Sequence, residues 1–169
     1  AVGWGGRGLG TLCFKARAIR VTRAWSSILA SIARLTRYAE VEGAHDADGK
    51  GPSIWDDFVK RRRKIRNGDH GNQACNHYHR YTEDLALIYN LHIPNYRFSI
   101  SWSRVLPQGT GAVNYKGVNF YNHLIDFCLE LGIEPWITLY HWDLPLALQK
   151  KGGWTNRDII HWFSYYVDC

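Results

Sequence analysis

His141 and Trp142 stand side by side at the end of the apolar run PWITLYHW (135–142), directly before Asp143-Leu144-Pro145. An imidazole can donate or accept a hydrogen bond to a hydroxyl group, and an indole can donate through its N–H or stack through its face. A second apolar run, YRFSISW (96–102), ends in Trp102, has Arg104 close behind it and carries Arg97 inside it. Aromatic faces beside hydrogen-bonding side chains are what a sugar ring needs. A core histidine with satisfied hydrogen bonds is the competing reading of His141. A guanidinium inside an apolar strand is rare without a partner. Arg97 is therefore expected either in an ion pair within the fold or beside a catalytic carboxylate that it holds ionised.

These residues need elements to position them. Two apolar strands separated by a helix are the pattern of a parallel α/β sheet, in which ligands bind at the carboxyl ends of the strands. The connecting helix is expected from Asn114, as N-cap, to about Leu131, with Val118, Tyr121, Leu124, Ile125 and Cys128 as its stripe and Gly132 as its stop. A helix over Tyr78–Leu91 precedes the first strand, Pro94 prevents its continuation, and a last helix is expected from about Asn156 to Asp168.

Other chemistries find little support. Cys75, His77 and His79, with His70 nearby, do not have a recognised zinc spacing, and hydrogen bonding by His77 or His79 is the expectation; no metal and no cofactor is implied. The acidic pairs Asp56-Asp57 and Glu83-Asp84 read as caps or solvent-facing groups, because adjacent carboxylates do not converge across a cleft. No nucleophile elbow or phosphate-binding glycine loop occurs.

The net charge of +6 is unevenly distributed. Residues 1–39 hold seven Arg or Lys and no acid, whereas the remainder carries 14 basic and 15 acidic residues. The division therefore falls into a basic leader, 1–39, and a domain, 40–169. The leader reads either as an organelle transit segment or as non-native sequence, so the location of the protein is left open. KRRRK (60–64) is expected to be a solvated charge run. A nucleic-acid partner would require a basic face on the folded domain, which the sequence does not offer. No window has the roughly 18 apolar residues of a membrane span. The 169 residues include no Met, which suggests a processed product or a piece of a longer chain.

From about Val41 onward the chain resembles the N-terminal part of family 1 glycoside hydrolases of the β-glucosidase type. The segments that carry the resemblance are VEGAHDADGKGPSIWDDF, GDHGNQACNHYHRYTEDLALI, YRFSISWSRVLPQGTG and GIEPWITLYHWDLPLALQKKGGWTNRD. The resemblance implies a (β/α)₈ barrel hydrolysing β-linked glucosides with retention through two glutamates. The fold expected of this chain is accordingly α/β, a partial (β/α)₈ TIM barrel with the first three βα units at most and the first strand altered or missing. The expected partner is a β-glucoside or oligosaccharide substrate. His141 and Trp142 are implied to hydrogen-bond the non-reducing glucose, Arg97 to contact the nucleophile, and Trp102 to line the barrel beside them.

The chain departs from the family pattern at Glu40, which stands where the family has a sugar-binding Gln. It departs again in containing neither N-E-P nor E-N-G, the strings that hold the two glutamates. A retaining β-glucosidase segment without activity of its own is the resulting expectation. A non-catalytic sugar- or protein-binding barrel protein is the alternative.

Overall fold

A computed structural model describes residues 42–61, 64–65 and 69–169. The basic leader, Glu40 and part of the 60–64 run lie outside them. The described elements are α1 (Ile54–Lys60), α2 (His77–Asn90), β1 (Asn95–Ser99), α3 (Trp102–Val105), α4 (Tyr115–Glu130), β2 (Glu134–Thr138), α5 (Leu146–Gln149) and α6 (Ile159–Val167).

β1 and β2 pair in parallel, with Asn95 opposite Glu134 and Ser99 opposite Thr138. A parallel pair needs a long crossover, and α4 provides it. The buried side chains of α4, Val118, Tyr121, Leu124 and Cys128, recur at three to four residues and so form one face. Removing a Leu such as Leu85 or Leu124 completely from water contributes about 1.5–3 kcal/mol. Gly132 ends the crossover in a left-handed conformation, φ +72°, as its position after the helix suggested. Asn114 is the N-cap residue, but its side chain does not cap. Its Nδ2 instead donates to the carbonyls of Asp48 (2.8 Å) and Arg104 (2.9 Å).

Side chains alternate across a strand. Tyr96 and Phe98 of β1, with Pro135 and Ile137 of β2 in register beside them, turn toward the helices; Tyr96 and Phe98 are buried there. Arg97, Trp136 and Thr138 occupy the opposite face, where Trp136 is 44% exposed. The sheet is therefore covered on one side and open on the other among the described residues.

Both strands end earlier than their apolar runs suggested, β1 at Ser99 and β2 at Thr138. The backbone turns after Ile100, whose N–H still reaches Thr138 O, and Trp102 opens the short helix α3. Trp102 is completely buried, stacked on Tyr166 at 4.9 Å, and its Nε1 donates to Gly109 O (2.9 Å). Extra chain can only bury it further, so the expected barrel-lining role is replaced by one in which it docks α6. That helix begins at Ile159 rather than Asn156, because Asn156 Oδ1 accepts from Asp158 N in a local turn.

The acidic pairs behave as caps and surface groups. Asp56 closes a capping box with Ser53 at the start of α1, and Asp57 pairs with Arg61 at the surface. Glu83 pairs with Arg80, while Asp84 meets His77 Nδ1 at 2.6 Å. His77 is thus a buried structural histidine, whereas Cys75 and His79 are exposed.

Candidate functional site

The carboxyl end of β2 continues through Leu139 and Tyr140 into His141 and Trp142. Tyr166 Oη donates to Leu139 O (2.9 Å) and fixes the chain as it leaves the sheet. Trp154 Nε1 donates to Tyr140 Oη (2.9 Å) on the next residue. Trp142 is 65% exposed and adopts φ +73°, a left-handed conformation that is an outlier for a bulky aromatic residue. His141 is half-buried. The two residues that sequence reasoning selected are therefore adjacent beyond the strand end, with the indole projecting.

Arg97 lies two residues from the end of β1, on the open face. Its Nε donates to Thr138 Oγ1 (2.9 Å), so it sits across the sheet at the mouth that leads to His141. Arg97 thus lies near the carboxyl end of the sheet, the end beyond which the chain continues into His141 and Trp142. Glu40 lies outside the described residues.

A charged cluster is buried in the core. Arg104 is completely buried and holds Glu42 Oε2 through Nε (3.0 Å) and Nη2 (2.9 Å), while its guanidinium lies 4.2 Å from the centre of the Tyr78 ring. Tyr121 Oη donates to Glu42 Oε1 (2.8 Å) and accepts from Ser101 N (2.8 Å). Burial pushes the Tyr121 hydroxyl well above its ordinary pKa, and the Glu42 charge adds to this. It remains a proton donor through the accessible pH range.

Asp143 follows Trp142 and is also buried. Neither carboxylate oxygen meets a donor in hydrogen-bond geometry among the described residues. Burial pushes its pKa from 3.8 up to about 7, and the Glu42 charge acts in the same direction. Ser101 and the backbone around His141 and Asp143 favour the ionised form but do not outweigh burial. Folded chain then keeps a proton that unfolded chain has lost between those values, so stability falls as pH rises from about 4 to 7 and levels off above. Urea midpoints across this range are expected to decline for the native sequence and to lose that slope in Asp143→Asn.

Sequence reasoning missed Glu42, Asp143 and Trp55, whose Nε1 donates to Trp142 O (2.8 Å). All three lie in segments that carried the resemblance, VEGAHDADGKGPSIWDDF and the stretch around HWDLP, which is the signal that could have singled them out.

The sequence pattern of Glycosyl hydrolase family 1 matches residues 33–169. The chain belongs to this family. It is 55% identical over 127 residues to β-glucosidase A of Thermotoga maritima, covering 75% of this chain and 28% of that protein. It is 53% identical over 132 residues to β-glucosidase 42 of Arabidopsis thaliana, covering 77% and 27%. Human lactase/phlorizin hydrolase matches at 49% over 130 residues, covering 76% and 7%. The solved family 1 β-glucosidase of T. maritima superposes with a TM-score of 0.76 at 54% identity, over 78% of this chain and 30% of that one, and it is matched equally in its complex with glucoimidazole. The family 1 chain described here thus spans less than a third of the length of these relatives. Its parallel βα units correspond to part of a TIM-barrel glycosidase.

Proposed function

We propose that this chain forms an early part of a retaining β-glucosidase barrel and supplies one wall of its glucose site. The observation that carries the reading is the pairing of His141 with the projecting indole of Trp142 immediately past the carboxyl end of β2, where barrel enzymes bind substrate. The open sheet face, with Arg97, Trp136 and Thr138, is the face that would line the barrel interior.

In this proposal His141 and Trp142 hydrogen-bond hydroxyls of the non-reducing glucose, and Glu40 stands in the sequence where the family has its sugar-binding Gln. Arg97 lies beside the nucleophilic carboxylate and keeps it ionised by its charge. In a retaining enzyme one carboxylate attacks the anomeric carbon as the other protonates the leaving oxygen, and water then releases the sugar from the glycosyl-enzyme. Neither family motif for those glutamates occurs in the 169 residues. The chain by itself therefore does not hydrolyse β-glucosides in this reading.

The test is incubation of the purified 169-residue chain with 4-nitrophenyl β-D-glucoside. No release of nitrophenol above the uncatalysed rate is expected. Turnover that co-purifies with the chain and is inhibited by glucoimidazole would overturn the assignment of the catalytic pair to other sequence.

A further inference from the structure

We infer that Trp55 is a positioning residue, its indole N–H holding the backbone of Trp142 in the left-handed conformation from which the ring projects. The inference deepens the proposed function, because Trp142 is there a sugar contact. The hydrogen bond itself stands independently of that reading.

A bulky residue at φ +73° is strained, and such strain persists only where the surroundings over-determine it. The surroundings here are the segment 50–56. Ile54 N donates to Leu144 O (2.9 Å), and Leu146 N donates to Pro52 O (2.9 Å), which pins the chain on the far side of Asp143. Tyr166 pins the near side through Leu139 O. Between these anchors Trp55 Nε1 reaches the Trp142 carbonyl at 2.8 Å, across 87 positions of sequence.

The segment is stiff enough to act as a template. Gly51 N donates to Ser103 O (2.8 Å), and a Cβ at Gly51 would overlap the Pro107 carbonyl, so the backbone lies directly on the loop after α3. Lys50, buried, donates to Asp56 Oδ2 (3.1 Å) and to the carbonyls of His45 (3.1 Å) and Gly51 (3.0 Å). Asp56 also accepts from Ser53 N (2.7 Å) and Ser53 Oγ (2.8 Å). Trp55 sits inside this brace, at the second position of α1. Its ring packs edge-on against Phe58 at 5.9 Å, which limits the directions its N–H can take.

The experiment is ¹⁹F NMR of the full 169-residue chain labelled with 5-fluorotryptophan, the Trp142 line being assigned by its loss in Trp142→Phe. In Trp55→Phe the Trp142 line is expected to move toward its position in urea-unfolded chain. The Trp102 line, buried against Tyr166, is expected to stay in place and so to report an intact fold. Should Trp55→Phe unfold the chain, seen as collapse of the Trp102 line, 3-benzothienylalanine at position 55 keeps the ring shape and removes only the N–H. A Trp142 line unmoved in a folded variant lacking that N–H overturns the inference. Turnover by the chain alone would overturn the proposed function and leave this hydrogen bond standing.

Discussion

Replacing Arg104 with Leu is expected to lower the unfolding free energy by about 3–5 kcal/mol, the cost of leaving one member of a buried ion pair behind. Glu42 is only 5% exposed, and after the substitution it would keep the Tyr121 hydroxyl as a donor but lose two hydrogen bonds from the guanidinium. The Ala44 carbonyl would lose Nη2 at 3.2 Å, and the Tyr78 ring would lose the cation above it. The total stability of a small domain is about 5–15 kcal/mol, so the variant would stand close to the folding threshold. Removing both charges in Arg104→Leu with Glu42→Leu is expected to cost less than Arg104→Leu alone, since an apolar pair can replace a buried ion pair at little expense. Urea denaturation followed by circular dichroism measures both. A single variant within about 1 kcal/mol of the native chain would show that the pair is not the keystone its burial implies.

The second large effect concerns His141. It can be measured in a complete enzyme by exchanging residues 42–169 for the matching stretch of T. maritima β-glucosidase A, a relative 55% identical over the aligned region. Hydrogen bonds to sugar hydroxyls that tighten in the transition state supply several kcal/mol in retaining glycosidases. Loss of about 3–4 kcal/mol corresponds to a fall in kcat/KM of about 10²–10³, which is expected for His141→Ala in the exchanged enzyme. A fall of less than about fivefold would place His141 among the structural histidines, with His77.

The strands and the crossover between them, together with the residues proposed as the wall, were legible in the sequence because each leaves a local signal. The crossover α4 shows its core face as a three-to-four-residue rhythm, and β1 and β2 appear as short apolar runs at either end of it. His141 and Trp142 stood out because polar and aromatic residues closed such a run. The supporting layer left no such signal. Arg104 and Glu42 are separated by 62 positions, and no periodicity links an acid near the start of the described chain to a base after β1. Trp102 looked like a strand-end aromatic because the backbone turn after Ile100 is set by tertiary contacts, namely the stack on Tyr166 and the bond to Gly109, rather than by a Gly or Pro. Asp143 has an ordinary sequence context, and only burial makes it unusual.

The most direct measurement is kcat/KM of the exchanged T. maritima enzyme toward 4-nitrophenyl β-D-glucoside. If residues 42–169 form the early βα units of a family 1 barrel and carry its glucose wall, the exchanged enzyme folds and turns substrate over, with the catalytic glutamates supplied by the T. maritima part. A folded, soluble exchanged enzyme with no turnover would contradict the account.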